Sequence, residues 1–150
     1  MGGGGTYPLM DLPVSAISLS VKCGDIFHSD FKGIDHGKFF VVMGVSRDHI
    51  CGFFFVNSNI NKYIFSKPEL LALQYPLKHS EYPFLRYDSF VCASNVMRIS
   101  LNKLSEDISN NKTKIIGNLK QEHIDEILDM VVKSEAINEK DKKQFFFSEE

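Results

Sequence analysis

Two short stretches of this chain carry side chains suited to gripping a phosphate. In Ile34-Asp35-His36-Gly37-Lys38 an imidazole and a cation flank a glycine at the mouth of an apolar run, where the loops of a small β domain present groups to ligands. In Val56-Asn57-Ser58-Asn59-Ile60-Asn61 four amide or hydroxyl side chains follow as another apolar run stops. If the two runs form a hairpin, these ends are neighbours, and a cation beside hydrogen-bond donors can hold a phosphate and the hydroxyl next to it. Each stretch also has a plainer reading, as solvated hairpin ends and as a turn.

Other chemistry finds less support. The chain has no phosphate loop with a following Lys-Ser/Thr, no H-E-x-x-H, no G-x-S-x-G and no paired carboxylates on a helix face. The histidines (His28, His36, His49, His79 and His123) are scattered, the nearest two standing eight residues apart, which argues against a metal cluster. Cys23, Cys51 and Cys92 form no C-x-x-C pair, and their spacings of 28 and 41 residues fit neither a zinc ribbon nor a disulfide framework. A Cys-His nucleophile built on Cys51 or Cys92 stays open, although both lie in apolar runs that favour burial.

The elements that must position these groups are mostly strands. Ile26-Phe27, Lys38 to Val45 and His49 to Asn57 are rich in Val, Ile and Phe and punctuated by glycine. The polar Ser46-Arg47-Asp48 between the last two predicts a hairpin. Tyr63-Ile64-Phe65 reads as a further short strand. Ser66-Lys67-Pro68-Glu69 then opens a short helix at Leu70-Leu71-Ala72-Leu73, which Tyr75-Pro76 ends. Strands follow at Ser89 to Ala93 and Val96 to Ser100. A last helix is predicted from a cap at Asn118, with Gln121 reaching back and Ile124, Ile127, Leu128 and Val131 on one face. The expected organisation is a flexible lead-in over residues 1–18, one domain over 19–138, and a charged, then aromatic, tail over 139–150. Met1-Gly2 with Thr6 fits a myristoylation pattern, but the glycine run reads more simply as a flexible start.

Composition sets the outer limits. With 150 residues, 43% apolar and 24% charged, the chain has the make-up of one ordinary globular domain. A domain of this size buries about 70% of its unfolded surface, so it needs no covalent staple. Free cysteines fit a reducing, cytoplasmic compartment. The longest apolar runs, Phe39 to Met43 and Phe53 to Val56, fall far short of the roughly 20 residues of a membrane helix. A net charge of −2 disfavours indiscriminate attraction to nucleic acid. A local site is better sought in the first hundred residues, because much of the acid follows Glu106.

In order along the chain, several pieces resemble the MazF/PemK family of toxins, the endoribonuclease halves of bacterial toxin-antitoxin pairs. Gly24-Asp25-Ile26-Phe27 resembles the family's opening G-[DE]-I-W strand, and Gly37-Lys38-Phe39-Phe40-Val41-Val42 its G-x-R-P-x-x-V segment. Val56-Asn57-Ser58 stands where the family has an apolar residue, then Thr and Ser. Ser89-Phe90-Val91 and Ser94-Asn95-Val96-Met97-Arg98-Ile99 resemble later strands, and Ile116-Gly117-Asn118-Leu119 the I-G-x-L-x-x-E start of the last helix. The resemblance spans roughly Cys23 to Ser134.

It implies a mainly β fold with α, a small SH3-like barrel with a short inserted helix and a C-terminal helix. It also implies a homodimer without metal or other cofactor, cutting single-stranded RNA and silenced by a cognate antitoxin protein. By residue, it puts Lys38 at the phosphate-steadying arginine and Asn57 with Ser58 at the Thr/Ser position. His36, which matches no family residue, is a candidate base on its chemistry alone. Arg86 and Lys62 would hold flanking phosphates, and Tyr63, Tyr87 or Phe90 would stack bases. Two other readings compete. One is a catalytically inactive SH3-like module that binds RNA or a peptide through the stretch from Tyr75 to Phe90. The other is a structural protein of a phage or mobile element.

Overall fold

The two most apolar runs become the centre of an antiparallel sheet covered on both faces, which is why they read as continuous rather than alternating hydrophobic segments. The computed structural model describes residues 21–31, 33 and 36–147, so the expected lead-in over residues 1–18 lies outside the described residues, as do Ile34 and Asp35. β2 (Lys38–Val45) and β3 (Ile50–Asn57) form the hairpin the sequence predicts, with Phe39 opposite Val56 and Val41 opposite Phe54. Its turn is closed by Ser46, whose amide donates to the Ile50 carbonyl (2.8 Å) and whose hydroxyl accepts from the Ile50 amide (3.2 Å).

β1 (Asp25–Ser29) pairs with the outer side of β2, and β7 (Thr113–Asn118) pairs with β1. The far side of β3 is shared by β5 (Ser89–Cys92) and β6 (Met97–Ser100), and β4 (Gln74–Leu77) lies beyond β5. The result is a mixed β and α fold on one seven-stranded antiparallel sheet. The sheet is open: no pairing joins β4 to β7 among the described residues.

Alternate residues supply two cores. Ile26, Val41, Met43, Phe54 and Val56 face one side, where α4 (Gln121–Lys133) contributes Ile124, Ile127 and Val131. Phe27, Phe40, Val42 and Phe53 face the other, covered by Leu101, Leu104 and Ile108 of α3 (Leu101–Ser109). Both the side chain of Ser100, which accepts from the Lys103 amide at 3.0 Å, and this apolar spacing were available to sequence reading, but α3 and β7 were not expected.

Several local expectations are corrected. Tyr63-Ile64-Phe65 is helical, not extended: it lies in α1 (Lys62–Phe65), because the Asn61 side chain caps the Ile64 amide at 2.8 Å. Pro68 does start a helix, α2 (Pro68–Leu71), but Ser66 does not cap it; its hydroxyl donates to the Tyr63 carbonyl and closes α1. Tyr75-Pro76 belongs to β4, an outermost strand where a proline interrupts no ladder on its free side. Asn118 sits in β7 opposite Asp25 and does not cap α4, while Gln121 donates to Asp125 instead.

The tail docks. α5 (Glu139–Asp141) runs into a wide helical turn at Lys142–Phe146, which buries Phe145 and Phe146. Phe146 stacks on Phe54 at 5.7 Å, and Arg98 pins the turn by pairing with Asp141 and lying over the Phe145 ring. Gly44 and Gly52, opposite one another on the hairpin, make the notch for Phe145. A Cβ at Gly44 would stand 2.1 Å from the Phe145 carbonyl oxygen, and one at Gly52 2.6 Å from its ring.

Candidate functional site

The hairpin end away from its turn brings the two chemistry-bearing stretches together. Lys38 opens β2 and Asn57 closes β3, and the ladder that pairs Phe39 with Val56 sets them across from one another. The Lys38 ammonium donates to the Asn57 side-chain oxygen at 2.6 Å and lies 4.5 Å from the centre of the Phe55 ring. This fixes a cation that would otherwise wave freely on a flexible stem. Burial lowers the Lys38 pKa below the ordinary lysine value, because a partly desolvated ammonium is penalised relative to the amine.

Around this pair opens a cleft of about 840 Å³. His36 and Gly37 form its lip before β2, and Ser58, Asn59 and Asn61 continue its wall beyond β3. The opposite wall comes from the β4–β5 loop through Leu85, Arg86, Tyr87 and Ser89. Arg86 and Tyr87 are exposed, the guanidinium lying over the Tyr87 ring at 5.9 Å. The Ser89 hydroxyl donates to the Tyr87 carbonyl at 2.8 Å and holds that corner. No carboxylate is among the described residues that line the cleft, and Lys38 and Arg86 bring positive charge to its two walls.

The structure thus gathers Lys38, Asn57, Ser58, His36, Arg86 and Tyr87 in one place. Lys62 is not among the lining residues; it is exposed at the start of α1, one residue past Asn61. Tyr63 is exposed on the same helix with the Lys67 ammonium 5.2 Å from its ring. Phe90 stands opposite Asn57 on β5 but does not line the cleft. Ser89 and Leu85 were not anticipated in the wall. The polar run Tyr87-Asp88-Ser89 before an apolar strand was the available signal for the first, and nothing in the local pattern marked the second.

The cations, amides and hydroxyls that line the cleft are groups able to hold an anion, and the thiols lie in less reactive settings. Burial pushes the Cys51 thiol up to about 12 and the Cys23 thiol up to about 11, so neither ionises near neutrality. Cys92 is buried on β5 and bonded to the Ser94 hydroxyl at 3.4 Å. No group of three His, Cys, Asp or Glu side chains among the described residues is placed to hold a metal ion. No helix among them is long and apolar enough to cross a membrane.

Fold and site together define an open antiparallel sheet whose central hairpin ends in a cleft of cations, amides and hydroxyls. No family model matches the chain, and no curated protein matches it.

Proposed function

We propose that this chain is a MazF/PemK-like toxin that cleaves single-stranded RNA by metal-independent attack of a ribose 2′-hydroxyl on the adjacent phosphate. On this reading the open, two-cored sheet is a divergent form of the small SH3-like barrel, and the protein acts in the cytoplasm as a homodimer under a cognate antitoxin. The observation that carries the proposal is the Lys38–Asn57 contact of 2.6 Å inside a cleft that also holds Ser58, His36 and Arg86 and has no carboxylate among its described lining residues.

The reaction needs three things of the protein. The strand must be held with the 2′-oxygen in line with the P–O5′ bond, negative charge growing on the phosphate must be met, and a proton must leave the attacking hydroxyl. Lys38, held by Asn57, meets the charge. Ser58 hydrogen-bonds a phosphate oxygen, and Arg86 takes the neighbouring phosphate while Tyr87 offers a ring to a base. His36 at the lip accepts the proton. As the new 2′-O–P bond forms, the P–O5′ bond breaks and the departing O5′ takes a proton from water, leaving a 2′,3′-cyclic phosphate on one fragment and a 5′-hydroxyl on the other.

A second reading is favoured by one specific observation: His36 is exposed and has no hydrogen bond among the described residues, so nothing there orients it as a base. A module of this fold that binds RNA or a peptide partner without cutting is the alternative. Incubating the full chain with a mixed RNA in EDTA separates the two. Fragments ending in cyclic phosphate are expected, with Lys38→Ala slowing their appearance about a hundredfold or more, the scale of removing one charge-stabilising group. No fragments from wild type, or cleavage undiminished in both Lys38→Ala and Ser58→Ala, would remove the enzymatic reading.

A further inference from the structure

The wall that carries Arg86 and Tyr87 is an eleven-residue loop, Lys78 to Asp88, between β4 and β5, and it is fastened far more firmly than its polar sequence suggests. Its ends are clasped by His79, whose amide donates to the Asp88 carboxylate at 2.8 Å and whose Nδ1 meets the Leu85 carbonyl. Its middle is tied to the start of α4. Tyr82 is only 3% exposed, and its hydroxyl accepts from the Lys120 amide at 2.9 Å. The same hydroxyl is hydrogen-bonded to His123 Nδ1 at 2.6 Å, and the other ring nitrogen, Nε2, lies 3.7 Å from the Glu81 carboxylate. Glu81 also pairs with the Lys120 ammonium at 3.1 Å.

The fastening continues toward the cleft. Ring centres of His123, Tyr82, Phe84 and Phe39 follow one another at 5.6, 6.0 and 5.4 Å, and Phe39 is the neighbour of Lys38 on β2. Leu85, buried between Phe84 and Arg86, lines the cleft itself. One chain of packed rings and hydrogen bonds therefore runs from α4 to both walls of the site.

We infer that Tyr82 and His123 are positioning residues: their hydrogen bond, anchored on the first turn of α4, holds the loop so that Arg86 and Tyr87 face Lys38 across the cleft and grip the strand flanking the reacting phosphate. This rests on the RNA reading of the cleft. It adds that affinity for RNA is set from a helix that does not touch the RNA. Loss of the latch releases a wall and leaves the Lys38–Asn57 pair in place, so it raises KM and spares kcat.

The test uses the full chain and two readouts. The first is the dissociation constant of a fluorescein-labelled single-stranded RNA whose riboses are 2′-O-methylated, so that it binds without being cut. The second is the rate at which trypsin cuts after Arg86 under native conditions, which follows local opening of the loop. Tyr82→Phe keeps the ring in the core and removes only the hydroxyl, and His123→Leu removes its hydrogen-bond partner. His123→Asn restores a hydrogen-bonding group near the Nδ1 position.

Tyr82→Phe and His123→Leu are expected to weaken RNA binding about five- to tenfold and to speed cleavage at Arg86 by a similar factor, the equilibrium equivalent of one buried hydrogen bond. His123→Asn is expected to stay within about twofold of wild type on both readouts, a rescue that loss of general stability would not produce. Unchanged trypsin rates in Tyr82→Phe and His123→Leu would overturn the inference whatever the RNA result. Faster trypsin cleavage in a protein whose wild type binds no RNA would uphold the latch and overturn the RNA reading of the cleft.

Discussion

Lys38 carries the site because three effects act on it at once: Asn57 accepts a hydrogen bond from it, the Phe55 ring lies under its charge, and partial burial removes some of its water. The burial has a measurable consequence. An ammonium is charged only below its own pKa, and burial lowers that of Lys38, so alkaline pH discharges it sooner than an ordinary lysine. Affinity for a non-cleavable RNA is therefore expected to begin falling at a pH below the ordinary lysine value, while Lys38→Arg, whose guanidinium stays charged there, holds its affinity across the same range. Parallel pH curves for the two proteins would show that the charge at position 38 does not hold the ligand. The types of residue at this site were legible in the chain, since a cation before one apolar run and amides after the next are visible without coordinates. Arg86 and Tyr87 of the other wall were also named from the sequence, but what holds them there was hidden: they reach the cleft through the fold of a loop whose anchors, Tyr82 and His123, lie 41 residues apart.

At the scale of elements, the apolar runs predicted the central hairpin because β-branched and aromatic residues suit a buried sheet whichever strands flank it. Short segments were less readable, since local side-chain bonds decided them. Asn61 turned Tyr63 to Phe65 into a helix by capping it, and Ser66 closed that helix instead of opening the next. β7 escaped notice because its side chains are largely exposed, and it owes its shape to backbone pairing with β1. The tail shows the same dependence on distant partners, for three consecutive phenylalanines do not say which of them is buried. Phe145 fills the notch left by Gly44 and Gly52, whereas Phe147 is 40% exposed. Phe145→Ala is expected to destabilise the fold by about 3 kcal/mol or more in urea denaturation, and Phe147→Ala by less than about 1 kcal/mol. A loss for Phe145→Ala as small as that for Phe147→Ala would mean that the docked turn contributes little to stability.

Across the whole molecule, the sheet, its two cores and the docked tail serve to hold the cleft rims at fixed separation. α3 backs the hairpin from one side, α4 and the tail from the other, and the loop on the β4–β5 side is tied to α4. With a modest net charge of −2, the proposed RNA ligand would be drawn by the cleft and not by the surface as a whole. Affinity should then fall with salt in proportion to a small number of phosphate contacts, and each cation removed from the cleft should take one contact away. The most direct measurement is the dissociation constant of a non-cleavable single-stranded RNA against salt concentration, for wild type and for Lys38→Ala and Arg86→Ala. The account predicts a linear decline on logarithmic axes for wild type and a slope shallower by about 0.7 for each variant. Slopes identical in all three proteins, or RNA binding that ignores salt, would contradict it.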